Sequence, residues 1–332
     1  MQENDSPNIV VVGGGTGSFT LLSSLKYYVK EITALVNMAD DGGSTGALRD
    51  ELGVLPPGDV RQCLVALSDS TKVRDLFNYR FDEGTFKGHS FGNLFLSTVE
   101  KMTNNFEEAV QIASEALQIH GKVIPVTTDN AQLVLRESNG HEIRGEHKIG
   151  HLRLLGERRP HIYLEPEATL TQSGKEAIKC ADMVVIAPGN LYGSLAPALV
   201  IKGIKEALQK TSAKIIYVCN LVTKPHQTDG FMVHDYASEI ERFIGAGVLD
   251  YVIYNTDEPT SHLMEKYIHA GEKIIEFDLE VLEGMHYKSI GLPLIAQEIV
   301  KPVKGDTIAH ERSLIRHDGR AISRQLMSIY FG

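Results

Sequence analysis

Apolar and polar positions fall into alternating blocks along the chain. Ile9–Val12, Ile32–Met38, Met183–Ala187, Lys214–Cys219 and Tyr251–Tyr254 are short, largely β-branched runs, each followed by a loop and then by apolar residues at helical spacing. Continuous apolar strands alternating with amphipathic helices predict a parallel sheet covered by helices. The middle of the chain differs. Residues 58–118 read almost wholly helical, with apolar positions at Val60, Leu64 and Leu67 and again at Val110, Ala113 and Leu117. Val123–Val126, Gln132–Arg136 and His161–Glu165 read as antiparallel strands, with Ser138-Asn139-Gly140 as a hairpin turn. The predicted architecture is a single α/β domain over residues 1–332, built on a doubly wound, mostly parallel sheet. A helical insertion (about 58–120) and a small β-rich insertion (about 122–166) interrupt it.

The first strand ends at Gly13-Gly14-Gly15-Thr16-Gly17, and helical spacing resumes at Ser18. Glycines let the backbone approach a ligand, and the free N–H groups of a helix's first turn face the same point. Such a corner attracts phosphate. Gly13-x-Gly15-x-x-Ser18 nearly matches the dinucleotide fingerprint, with serine in the third glycine's place. Ser18 and Phe19 follow Gly17 where a Walker loop needs Lys-Ser/Thr, which argues against a kinase or P-loop ATPase.

The bulk numbers set limits. A chain of 332 residues, 42% hydrophobic and 23% charged, is ordinary for a globular protein and long enough for a large core. A net charge of −10 argues against nucleic acid or an anionic membrane surface as partner. Cys63, Cys180 and Cys219 are widely spaced within apolar stretches and read as reduced structural thiols of a cytoplasmic protein. The first seven residues do not read as a signal peptide, and no apolar run reaches the ~20 residues that membrane insertion needs.

Further loops at strand ends carry candidate chemistry. Asn37-Met38-Ala39-Asp40-Asp41-Gly42-Gly43-Ser44 follows the second strand, where a dinucleotide fold offers a carboxylate to a ribose. Two adjacent carboxylates before a glycine turn also suit Mg²⁺; a plain polar turn is the competing account. Pro56-Pro57-Gly58-Asp59 fixes a rigid approach, with Asp59 as the cap of a helix. Pro188-Gly189-Asn190-Leu191-Tyr192-Gly193-Ser194, with Pro197 in the next first turn, reads as a second anion corner. Asn220 to Gly230 supplies Asn220, Thr223, Lys224 and Asp229. Ligands of open parallel sheets sit beyond the carboxyl ends of the strands, where all these loops lie. Four or five hydrogen bonds to charged groups, roughly 1.5–3 kcal/mol each, could hold a nucleotide diphosphate without a Walker lysine.

The blocks Gly13–Gly17, Ala39–Arg61, Gly88-His89-Ser90-Phe91-Gly92-Asn93-Leu94, Pro125–Ala131, Pro188–Pro197 and Thr228-Asp229-Gly230 together resemble the bacterial gluconeogenesis factor family (YvcK-like). That family is related to 2-phospho-L-lactate transferase (CofD-like), and the likeness spans nearly the whole chain. The resemblance implies a Rossmann-like core, a cytoplasmic protein needed for cell shape during gluconeogenic growth, and a UDP-sugar pocket. In the transferase branch it implies a metal-dependent transfer of a phospholactyl or phosphoenolpyruvyl group to a deazaflavin hydroxyl. Asp59 resembles that branch's deazaflavin-contacting aspartate. Tyr267 and Arg316 resemble a tyrosine and an arginine linked to UDP-sugar binding. Asn190 and Gly193 depart from the family pattern, standing where serine and threonine belong.

Two functions compete. A nucleotide-sugar-binding regulator without turnover is preferred, because the Asp40-Asp41-Gly42-Gly43-Ser44 wording resembles that branch. Its binding residues would be Gly13, Gly14, Gly15, Thr16, Gly17, Asn37, Asp40, Asp41, Gly42, Ser44, His89, Asn93, Pro188, Gly189, Asn190, Tyr192, Asn220, Thr223, Asp229, Gly230, Tyr267 and Arg316. The alternative is a transferase of the 2-phospho-L-lactate type, with Mg²⁺ on Asp40, Asp41 and Asp59 and with Asp59 or His89 orienting the acceptor hydroxyl. An NAD oxidoreductase ranks last, for want of a hydride-transfer constellation. No covalent cofactor is expected; a homodimer and cell-envelope regulatory partners stay open. His141, His147 and His151 lack zinc spacing and read as a solvated hairpin. Arg158-Arg159 reads as a surface turn, and residues 321–330 as a final helix.

Overall fold

The computed structural model describes residues 6–154, 159–269, 271–297 and 315–332. Arg158 lies outside them. Among the described residues, ten strands form two sheets: β1 (Asn8–Gly13), β2 (Glu31–Val36), β3 (Lys122–Pro125), β4 (Gln132–Arg136), β5 (Glu142–Arg144), β6 (His161–Glu165), β7 (Met183–Ile186), β8 (Lys214–Val218), β9 (Tyr251–Asn255) and β10 (Lys288–Leu292). The main sheet has the order β10-β9-β8-β7-β1-β2-β3, and every pairing in it is parallel. Ile9, Val10, Val11 and Val12 point alternately to its two faces, and each is at most 1% exposed. Both faces are therefore covered, which is why the strand is apolar without alternation.

The order of the sheet locates the site. From β1 the chain winds outward through β2 to β3, then returns to lay β7, β8, β9 and β10 on the opposite side. The crossover directions diverge between β1 and β7, opening a crevice beyond the carboxyl ends of those two strands. The helix Gly15–Leu25 starts from that crevice and packs on the helices Gly58–Leu67 and Gly319–Phe331.

Several expectations are corrected. Lys122–Pro125 is the parallel edge strand of the main sheet, not part of the β-rich insertion. Its proline, which has no N–H to donate, is tolerated at an edge. The small antiparallel sheet is β5-β4-β6, and its hairpin turns at Gly140 (φ +87°) as the sequence predicts. β10 goes unpredicted because Lys288-Ser289-Ile290-Gly291-Leu292 is short, polar and half exposed. The helical insertion is four helices, Gly58–Leu67, Thr71–Asn78, Phe91–Thr103 and Phe106–Leu117. Residues 79–90 double back between the second and third, with Phe81 N–H donating to the His89 carbonyl. The final helix is Gly319–Phe331, capped by Asp318. Cys63 and Cys219 are buried, whereas Cys180 is exposed at a helix end. Among the described residues no helix is long and apolar enough to cross a membrane.

Candidate functional site

The glycine corner is shaped by the protein's own packing. A Cβ at Gly17 would fall 1.7 Å from the Pro188 carbonyl oxygen, so the loops after β1 and β7 meet there with no room for a side chain. A Cβ at Gly14 would fall 2.1 Å from Asp59 Oδ2. The helix Gly15–Leu25 has no side-chain cap of its own. Instead its first N–H, that of Gly15, donates to Asp59 Oδ1 at 2.9 Å. Asp59 was expected to cap its own helix, but the cap position there is Pro57. Asp59 lies inside the first turn, and its carboxylate crosses to cap the glycine helix.

Asp40 stands beside Asp59. Its Oδ1 accepts the Gly42 N–H at 3.0 Å, and a Cβ at Gly58 would come within 2.4 Å of its Oδ2. Loss of water at this wall raises the proton affinity of Asp40, and the neighbouring Asp41 charge adds to it. Burial and then the Asp40 charge push Asp59 up to about 7. Glu146 belongs to the same cluster: burial, followed by the charges of Asp40, Asp59 and Asp41, pushes it up to about 9. The Arg61 guanidinium pulls both aspartates partly back.

Asp41 serves another purpose. Its Oδ1 accepts the His147 N–H at 2.7 Å, pinning the short helix Glu146–Gly150 over the cleft. Gln227 Nε2 holds the other end of that helix, at 2.7 Å from the Ile149 carbonyl. This corrects the hairpin reading of His147, which with Glu146 lines the cleft. His141 does lie exposed on the β4–β5 hairpin. Ser44 Oγ lies 3.0 Å from His89 Nδ1 and accepts from Asn93 Nδ2 at 3.2 Å. Asn93 Oδ1 accepts in turn from Arg61 Nε at 2.9 Å.

The loop after β7 is not an open anion corner. Asn190 Oδ1 accepts the N–H groups of Tyr192 and Gly193, at 3.2 and 2.9 Å, so the donors of that turn are already occupied. Tyr192 is 1% exposed, and its hydroxyl bonds the fully buried Glu239. Asn220 ties this loop to the one after β8, donating to the Gly189 carbonyl at 2.6 Å. Thr223 pairs with Lys273, and Asp229 accepts the His226 N–H at 2.6 Å.

A C-terminal strap completes the site. The Ile315 N–H donates to Tyr267 Oη at 2.7 Å, and the Arg316 carbonyl accepts the Ala296 N–H at 2.8 Å. His317 Nε2 donates to the Cys219 carbonyl at 2.9 Å, and Asp318 N–H donates to the Leu294 carbonyl at 2.7 Å.

These parts enclose one cleft of about 640 Å³, a size suited to a drug-sized or nucleotide ligand. Of the sequence candidates, Gly14, Gly15, Thr16, Gly17, Asp40, Gly42, Ser44, Asp59, Asn93, Pro188, Gly189, Asn190, Asn220 and Arg316 line it. Gly13, Asn37, Asp41, His89, Tyr192, Thr223, Asp229, Gly230 and Tyr267 are not on its wall. Sequence reasoning missed Arg61, Arg80, Glu146, His147 and His317. Arg61 stood inside the block that carried the resemblance, and His317 in the segment Arg316-His317-Asp318, for which folding back on the cleft and forming a partner surface were both open. Among the described residues no three His, Cys, Asp or Glu side chains form a set that could hold a metal. Asp40 and Asp59 suit the other way of holding Mg²⁺, through two carboxylates shared with a ligand's phosphates.

Relatives of the chain share this frame. The 2-phospho-L-lactate transferase CofD family model matches residues 9–295. A putative gluconeogenesis factor from Clostridium acetobutylicum is 41% identical over 324 residues, covering 97% of this chain and 69% of that protein. The gluconeogenesis factor of Bacillus subtilis is 35% identical over 327 residues, covering 97% of this chain and 98% of that one. A crystal structure of a UPF0052 family protein from Bacillus halodurans superposes with a TM-score of 0.87 at 32% identity, covering 97% of this chain and 99% of that one. The chain therefore belongs to the 2-phospho-L-lactate transferase CofD family, among relatives that carry the name gluconeogenesis factor.

Proposed function

We propose that the cleft binds a nucleoside diphosphate sugar, a UDP-sugar, and that the protein is a cytoplasmic regulator required for gluconeogenic growth and cell shape. The observation that carries this reading is the convergence of the glycine corner, the Asp40–Ser44 loop, the Pro188–Asn190 loop and Arg316 on one cleft. Thr16 and Gly17, in the first turn of the glycine helix, supply backbone donors to a pyrophosphate. Arg316 supplies a guanidinium, which matches phosphate oxygens in a bidentate manner. Asp40 and Asp59 would hold Mg²⁺, which would neutralise charge between their carboxylates and the phosphates. Calorimetric titration with UDP-N-acetylglucosamine, GDP and NAD, each with and without Mg²⁺, tests the reading. A saturable uridine response supports it; tight Mg²⁺-dependent GDP binding through Asp59, without a uridine response, replaces it with the second reading.

That second reading is a transferase, and one observation favours it. Asp59, held near neutrality by burial and Asp40, has the proton affinity suited to a general base. In that reaction the acceptor hydroxyl attacks the phosphorus that bears the lactyl or enolpyruvyl ester, Asp59 takes the hydroxyl proton, and the bond to the nucleotide breaks. The nucleoside monophosphate leaves. A turnover assay with a guanosine diphosphate ester and a deazaflavin alcohol separates the two readings directly.

A further inference from the structure

We infer that Tyr267 and His317 are positioning residues for Arg316, two pins on one strap whose main effect on the ligand passes through that guanidinium, although His317 also stands on the cleft wall. The inference rests on the nucleotide-binding reading above and assigns how its cation is held.

The strap is Ile315–Asp318. Arg316 lines the cleft, but its backbone belongs to no regular element. A residue of that kind needs its neighbours fixed if its side chain is to meet a phosphate repeatedly at one place. The structure fixes them from three directions. On the N-terminal side, Tyr267 Oη accepts the Ile315 N–H at 2.7 Å. Tyr267 is 6% exposed, and its ring is part of the apolar core. On the C-terminal side, His317 Nε2–H donates to the Cys219 carbonyl at 2.9 Å, at the end of β8. Beneath, Ile295 and His317 form an antiparallel bridge, with Ala296 N–H on the Arg316 carbonyl and Asp318 N–H on the Leu294 carbonyl. Leu294 is itself held by Asn255 Oδ1 at the end of β9, at 3.0 Å. Arg316 is therefore referenced to the ends of β8 and β9, the same rigid sheet that carries the glycine corner on β1.

The chemistry of the pins suits the task. A tyrosine oxygen accepting a backbone N–H fixes position without bringing a charge near the phosphates. Burial holds His317 neutral, its pKa lowered to about 4, so the Nε2–H donor is constant across the physiological range.

The test is a mutant cycle read by calorimetry with UDP-N-acetylglucosamine, together with amide hydrogen exchange on the ligand-free full chain. Tyr267→Phe and His317→Ala each weaken binding about five- to tenfold in the wild-type background. In the Arg316→Ala background the same changes produce less than a twofold further loss, the coupling expected of groups that act through one another. His317→Gln, which keeps a donor for the Cys219 carbonyl, recovers most of the affinity. In the free protein both pin variants speed exchange at residues 315–318 while β1 and β8 stay protected. Equal losses in both backgrounds overturn the inference, because the pins then touch the ligand themselves. If the wild-type protein binds no UDP-sugar, the nucleotide reading fails while hydrogen exchange still decides the strap: faster exchange at 315–318 supports it, and unchanged exchange overturns it.

Discussion

The Gly15 N–H donates to Asp59 Oδ1 across 2.9 Å, so the first donor of the glycine helix is held by a carboxylate from a helix start 44 residues later. A phosphate approaching that corner meets a carboxylate already seated there. Under the proposed nucleotide reading, proton uptake by Asp59 or a shared cation would reconcile the two anions, and both routes would tie binding to pH and to Mg²⁺.

The first prediction concerns pH and stability. Asp59 is raised to about 7 and Glu146 to about 9. A carboxyl with a raised folded pKa binds more protons folded than unfolded, so its stabilising contribution is full below the unfolded carboxylate range and is lost as pH rises through the folded value. Thermal melts should therefore decline from pH 5 to pH 9.5, with components near 7 and near 9. Asp59→Asn removes the first and Glu146→Gln the second. Each variant should be more stable than wild type at pH 9.5 by several kcal/mol, at about 1.4 kcal/mol per pKa unit, and should lose that advantage below pH 5. Parallel pH profiles for wild type and variants would contradict this.

A second prediction follows from the contact of the β1 and β7 loops. Gly17→Ala places a methyl group 1.7 Å from the Pro188 carbonyl oxygen, a backbone atom that moves only if the loop moves. The cost should be ~2–4 kcal/mol, visible in urea unfolding. A neutral alanine would mean that the two loops are not in contact.

Tyr192 separates structural from ligand roles. Its hydroxyl bonds Glu239, a fully buried carboxylate also paired with Arg159 at 3.2 Å and with Arg242. Tyr192→Phe should cost ~1–2 kcal/mol of stability and leave nucleotide affinity within twofold. A large affinity loss at unchanged stability would return Tyr192 to the binding set.

The metal prediction rests on Asp40. Asp40→Asn should abolish most of the enhancement of nucleotide affinity by Mg²⁺, by tenfold or more, while binding without metal changes little or improves as a negative charge is lost. Titrations at fixed nucleotide with and without chelator measure it. Enhancement that survives in the variant would place the cation elsewhere.

The sheet was legible because buried parallel strands leave a signature in composition: Val10, Val11, Val184 and Val185 could only be interior. The glycine corner was legible because four glycines after a strand have few other uses. Two kinds of feature were hidden. Asp59 and Asp41 satisfy backbone donors 44 and 106 residues away, and sequence spacing carries no information about such partners. Glu146 and His147 sit in a polar stretch that reads as a hairpin, and bonds to Asp41 and Gln227, both distant in sequence, hold it over the cleft. Asn190 reads from the sequence as part of a second anion corner, but its Oδ1 occupies the Tyr192 and Gly193 donors that such a corner would offer. Tyr267 entered by resemblance, and its hydrogen bond to Ile315 supplies a physical role that the likeness lacked.

A crystal structure of the full chain with UDP-N-acetylglucosamine and Mg²⁺ bears most directly on the account. It should show the pyrophosphate between the backbone of Thr16 and Gly17 and the Arg316 guanidinium, with the cation on Asp40 and Asp59. A nucleotide seated outside that cleft, or in it without contact to the glycine corner or Arg316, would contradict the account.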